Sequence, residues 1–380
     1  VIGIDQLLKS RTLRGEALGL ITNPSGITSR GVPTWRALLD EGYSLKVLFG
    51  PEHGFRGEAQ DAVAVGDATF RGLPVYSLFG DRLAPATEVV ETLDTLLFDL
   101  QDVGCRFYTY LYTLALSMKV CEEVGTEIVV ADRPGPILDM PVEGHPIDPA
   151  FESVVGGYGL PITPGLTVGE LALYLQEAFF PRAPLRVIPV EGYRRSSRFQ
   201  DLGLPWHLPS PNLPTLDTAL VYPGTCLIEG TNLSEGRGTT RPFEIVGAPF
   251  IDGEELRHAL AEQELPGVVL TSLVFTPTFS KWKGAACGGV LLNITDRRAF
   301  RPLETGITML RTILALNPGK VRWLPDWNNS SELFFDKLAG GDTLRNLLYQ
   351  GQPLETIMEA MNRGARDFQE QTRRFRLYEE

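Results

Sequence analysis

The first 150 residues alternate short apolar runs with segments of helical period, and this alternation restricts the possible folds more than any other feature of the chain. Ala17–Thr22, Leu45–Phe49, Pro74–Leu78, Thr95–Leu100 and Glu127–Ala131 are brief, nearly continuous apolar runs, the pattern of strands buried on both faces. Between them, Thr34–Leu39, Pro85–Leu93 and residues 106–124 read as helical, the last stopping at Gly125, which tolerates the left-handed conformation of a helix end. The alternation predicts an α/β fold: a parallel sheet with helices on both faces.

In such a sheet the chemistry collects at the carboxyl ends of the strands. Here those ends carry Asn23, then Glu52, His53 and Arg56 in the turn Phe49-Gly50-Pro51-Glu52-His53-Gly54-Phe55-Arg56-Gly57, then Asp99, Gln101 and Asp102, then Asp132 and Arg133. Polar side chains delivered to one edge by consecutive strands predict a lined cleft. The first strand runs into Asn23-Pro24-Ser25-Gly26, not a glycine fingerprint, and no GxxxxGK[ST] occurs. A dinucleotide or nucleotide cofactor is therefore not expected. The four histidines show no HExxH or comparable spacing, so no metal is expected either.

At 380 residues the chain is long for a single core, and two domains are expected. We place a Rossmann-like α/β domain bearing the catalytic strand ends at 1–150, with a Pro- and Gly-rich junction at about 135–165. A smaller α+β domain at 151–380 would complete the substrate cleft. Thr167-Val168-Gly169-Glu170 matches a capping box opening a helix through Phe179, and Leu185–Val190 reads as a strand. The proline-stiffened loop Leu204–Thr215 offers Trp206 as a sugar platform, together with Asn212. The glycine-rich loop Ile228–Phe243 holds Glu229, Asn232, Glu235, Arg237 and Arg241 with little to bury; its arginines suit an anionic group, because guanidinium forks match carboxylates. Strands at 268–275 and 289–294 and helices at 303–316, 343–349 and 354–375 follow.

A net charge of −12 argues against nucleic acid as a partner. No stretch has the length and apolarity of a membrane span, so membrane insertion is not expected. The four cysteines lack CxxC spacing and read as reduced core residues. Val1 is not a start methionine, which leaves a removed signal peptide and a secreted or envelope location open beside a cytoplasmic one. A monomer or homodimer is expected.

FGPEHGFRGEAQ, FDLQDVGCRFYTYL, ADRPGPI, PSPNLPTLDTALVYPGT and EGTNLSEGRGTTRPFEIVGAP together resemble the NamZ-type exo-β-N-acetylmuramidases, bacterial cell-wall hydrolases. The similarity runs from Gly3 to about Trp323 and departs at Gly135, where an Asn is expected. The resemblance implies a Rossmann-like N-terminal domain, a smaller C-terminal domain and an active site between them. It further implies release of N-acetylmuramic acid from the non-reducing end of peptidoglycan fragments, without a nucleotide cofactor.

Glycoside hydrolysis requires an acid for the leaving oxygen and a second group to manage the oxocarbenium-like centre. Glu52 is the first choice for the acid, with His53 or Arg56 adjusting its protonation. Asp102, Asp132, Glu229, Glu235 and a tyrosine of Phe107-Tyr108-Thr109-Tyr110 are candidates for the second role. Arg237 or Arg241 would pair with the lactyl carboxylate of muramic acid. Two rivals remain at this level: a non-catalytic glycan-binding protein, and a sugar-phosphate or nucleotide enzyme on the doubly wound sheet.

Overall fold

A computed structural model describes the chain apart from residues 14, 16, 61, 62, 328 and 330. Its larger sheet contains β1 (Leu18–Thr22), β2 (Leu45–Gly50), β3 (Ala68–Phe70), β4 (Leu73–Ser77), β5 (Thr95–Asp99), β6 (Glu127–Ala131) and β7 (Leu185–Ile188), in the order β3-β4-β2-β1-β5-β6-β7. All pairings are parallel except β3 with β4. Every residue of β1 and β5 is buried, as their continuous apolar character requires when both faces are covered. The chain moves outward from β1 to β2 and on to the edge strand β3, fills the gap with β4, then returns to lay β5 on the other side of β1. That reversal opens a crevice at the carboxyl edge.

The expected helix at 106–124 starts only at Tyr110 and runs to Val124. Residues 106–109 stay outside it because Gly104 has φ 78° and the Arg106 N–H is spent on the Ile162 carbonyl at 2.8 Å. Gly125, with φ 78°, closes the helix and donates its N–H to the Cys121 carbonyl. The Thr167–Glu170 capping box forms in both directions and opens the helix Val168–Ala178.

The large sheet runs past residue 150: β7 pairs with β6 from Ile128–Leu185 to Ala131–Ile188. The second sheet is antiparallel, with β8 (Ile245–Ala248), β9 (Val268–Phe275) and β10 (Cys287–Ile294) in the order β8-β10-β9. The helix Gly253–Ala261 packs on β9 and β10, and Leu216–Thr225 packs against Pro302–Leu316. The latter crossing depends on Gly224 and Gly306, because a Cβ on Gly224 would stand 1.9 Å from the Pro302 carbonyl oxygen. The expected helix at 354–375 is interrupted: Gly364, with φ 84°, separates Leu354–Met361 from Ala365–Thr372. All four cysteines are free and buried.

Candidate active site

β2 ends at Gly50, and the chain turns sharply through Pro51–Gly54, closed by the Gly54 N–H on the Pro51 carbonyl. His53 takes φ 71°, a left-handed conformation that costs a non-glycine residue strain. Gly50 has no room for a side chain: its Cβ would lie 2.4 Å from the Phe55 nitrogen. The turn therefore fixes Glu52 and His53, both nearly inaccessible, by backbone geometry. The Thr109 hydroxyl donates to Glu52 Oε2 at 2.7 Å. His53 Nδ1 lies 2.9 Å from the Ala59 carbonyl oxygen, which can only accept, so the ring proton sits on Nδ1.

Glu52 and His53 face a narrow cleft, with about 40 Å³ open to a water-sized molecule. The large-sheet half contributes Phe79, Phe107, Tyr108 and Thr109 to its walls. The other half contributes Tyr222, Glu229, Arg237, Phe243, Trp327 and Phe334. Burial, with Tyr110, Asp102 and Glu52 nearby, holds the Tyr108 phenol well above its usual range. It is a neutral hydrogen-bonding group here, not a phenolate. Arg237 lies across the Phe243 ring at 5.0 Å and pairs with Glu229 through Nη2 and with Glu235 through Nε at 3.3 Å.

Of the residues singled out from the sequence, Glu52, His53, Tyr108, Glu229 and Arg237 line this cleft. The others occupy different positions. Glu235 is fully buried behind Arg237 and meets Lys281 Nζ at 2.7 Å. Burial pushes its carboxyl up, but Lys281 and Arg237 outweigh that and bring it below the usual range. Asp102 accepts from the Gly104 N–H at 2.6 Å, and burial pushes its carboxyl up to about 7 against the Gly104 and Val103 amides. Its Oδ2 has no hydrogen-bond partner among the described residues.

Asp132 and Arg133 serve the framework. Asp132 accepts from the Thr167 hydroxyl, the Gly169 N–H and the Tyr378 hydroxyl, tying β6 to the next helix and to the chain's end. Arg133 forms a buried ion pair with Asp99, Nε to Oδ1 at 2.7 Å, and Asp99 also accepts from Thr34. Asn23 and Tyr110 are joined to each other and to the Pro209 carbonyl. Gln101 donates to the Asp102 and Pro134 carbonyls. Asn212 reaches Gln60, and Asn232 bonds Lys320 and Arg322 backbone atoms.

Trp206 donates its indole N–H to the Leu213 carbonyl and packs edge-on to Phe199, so it pins the proline-rich loop. Arg241 is partly exposed and paired with Glu244. Arg56, also exposed, borders a separate hollow of about 510 Å³ that His53 lines as well. Among the described residues no cluster of three or more His, Cys, Asp or Glu side chains suits a metal ion, and no helix is long and apolar enough to cross a membrane.

Sequence reasoning passed over Thr109 and Trp327. Thr109 occupies the N-cap position of the Tyr110–Val124 helix, yet its side chain makes no cap bond. Its hydroxyl goes to Glu52 instead, and that diversion is visible only in three dimensions.

A doubly wound sheet that delivers a buried carboxylate to an aromatic-walled cleft, which a second carboxylate also lines, has the pair of groups that glycoside hydrolysis requires. Family models describing the N-terminal and C-terminal parts of the exo-β-N-acetylmuramidase NamZ match residues 18–217 and 220–378. The peptidoglycan β-N-acetylmuramidase NamZ of Bacillus subtilis (strain 168) is 42% identical over 382 residues, covering 99% of this chain and 91% of that protein. Two crystal structures of DUF1343 family proteins from Bacteroides fragilis NCTC 9343 are similar over the whole chain. One has a TM-score of 0.90 at 30% identity with 98% of its chain covered; the other has 0.79 at 29% with 99% covered. The chain belongs to the NamZ exo-β-N-acetylmuramidase family.

Proposed function

We infer that the protein is an exo-β-N-acetylmuramidase that hydrolyses the terminal β-muramyl bond of peptidoglycan-derived glycosides and releases free N-acetylmuramic acid. The observation that carries this reading is the Glu52–Thr109 pair at 2.7 Å, placed in one cleft with Glu229 and Arg237.

Glu52 is the general acid. The Thr109 hydroxyl on Oε2 holds the carboxyl in place, and its proton passes to the glycosidic oxygen as the bond to the anomeric carbon breaks and a water adds its hydroxyl there, giving up a proton in turn. Glu229, from the opposite half, supplies the negative charge that faces the oxocarbenium-like centre, and Arg237 fixes its side chain. Tyr108, neutral and buried, donates a hydrogen bond to the bound sugar. Arg237 also reads the lactyl carboxylate.

Incubation of the purified protein with a chromogenic β-N-acetylmuramide tests the activity. Release of the chromophore together with free muramic sugar is expected. Sugar binding without turnover would instead make the protein a glycan-binding member of its family.

A further inference from the structure

The cleft has one aromatic wall that the catalytic residues leave unexplained. Trp327 lines it at the mouth and is 51% exposed. The chain's other four tryptophans are half-buried. Trp206 and Trp282 donate their indole N–H groups to backbone carbonyls, Trp323 rests on Phe335, and Trp35 packs edge-on to Phe70.

Phe334, itself a cleft residue, stacks on Trp327 with ring centroids 5.3 Å apart and planes 29° apart. A ring covered on one face by a stacked partner offers the other to a ligand. The described residues on either side of it are braced. Pro325 and Leu333 form a bridge, the Phe334 N–H donates to the Leu324 carbonyl at 3.0 Å, and Lys337 holds both Asp326 and Glu332. The ring itself is held by its stack on Phe334.

We propose that Trp327 is the stacking platform for the pyranose ring bound in this cleft, taking the apolar face of the terminal muramic sugar against its exposed side. The assignment rests on the muramidase reading. A pyranose with equatorial substituents presents axial C–H bonds on its faces. Laying such a face on an indole removes apolar surface from water while the hydroxyls at the ring's edge stay available for hydrogen bonds. Trp327 comes from the C-terminal half and Glu52 from the large sheet, so the platform also sets the sugar's position between them.

Two measurements test this: titration of tryptophan emission with free N-acetylmuramic acid, and steady-state kinetics on a chromogenic muramide. The wild-type emission is expected to change with sugar, and Trp327→Ala to abolish that change. In the same variant KM should rise about tenfold while kcat stays within about threefold. Trp327→Tyr, which keeps an aromatic face, should recover most of the loss, and both variants should lower Tm only slightly, since the residue is half exposed and stacks on Phe334 alone among the rings described. An unchanged KM in Trp327→Ala, or sugar-dependent emission that persists in it, overturns the proposal. A wild type that cleaves no muramide defeats the activity reading alone, provided a Trp327-dependent emission change remains. A wild type whose emission does not respond to the sugar defeats the platform whatever its turnover.

Discussion

Replacing Thr109 by Val keeps the shape of the side chain and removes one hydroxyl. That hydroxyl lies 2.7 Å from Glu52 Oε2, and Glu52 is 6% exposed, so water cannot readily take its place. A hydrogen bond to a charged or charge-developing group in such a setting contributes about 1.5–3 kcal/mol. The carboxyl loses its orientation in both the bound and the reacting state, and we assign most of the loss to the proton-transfer step. At 1.36 kcal/mol per factor of ten, kcat should fall roughly 10- to 100-fold. Thr109→Ser, which restores the donor, should stay within about threefold of wild type. The assay is turnover of a natural muramyl disaccharide, with Tm recorded for each variant so that unfolding is not mistaken for lost chemistry. Near-normal kcat in Thr109→Val would refute the reasoning, because the acid would then be positioned by something other than this bond.

Arg237→Ala should raise KM for a muramide by roughly 10- to 100-fold through loss of a charge-assisted contact, whereas Arg241→Ala, paired with Glu244 outside the cleft lining, should leave it nearly unchanged; equal effects would contradict both placements. Asp102 titrates at about 7 in the fold and near 3.9 when unfolded, so the native state binds the extra proton between those values. Its contribution to stability is therefore fully present below about pH 4 and is lost as pH rises towards 7. Asp102→Asn keeps an acceptor for the Gly104 N–H and should be more stable than wild type at pH 8 by up to about 4 kcal/mol, a difference that should vanish near pH 4 on denaturant titration. Tyr378→Phe removes a buried donor to Asp132 and should cost about 1–3 kcal/mol of stability while kcat/KM at low temperature is kept. Loss of activity without loss of stability would return Asp132 to the site.

The large sheet was legible because its strands are continuous apolar runs, and the cleft's position followed from their polar ends. The roles of those ends were not legible. A polar residue after a strand can face a ligand or staple the sheet to its helices, and only the partners decide. Asp132 is stapled by Tyr378, 246 residues away, and no local pattern encodes such a pairing. Trp206 was a reasonable sugar platform by type, but the backbone carbonyl of Leu213 claims its N–H. The exposed cleft tryptophan is Trp327, in a stretch without regular periodicity. The helix expected from residue 106 failed at its start for a similar reason. Arg106 is fully buried and gives its guanidinium to the His145, Leu160 and Leu338 carbonyls, so tertiary partners override the local apolar period.

The central claim is that Glu52 donates the proton to the leaving oxygen, and Glu52→Gln tests it most directly, since it keeps shape and hydrogen-bonding capacity while removing the acid. General acid catalysis is typically worth about 10²–10⁴-fold, so kcat on a natural disaccharide should fall by that order with folding and sugar binding intact. The same variant should lose much less on a dinitrophenyl muramide, whose leaving group departs without protonation. Near-normal turnover of the disaccharide by Glu52→Gln, or equal losses on the two substrates, would contradict the account.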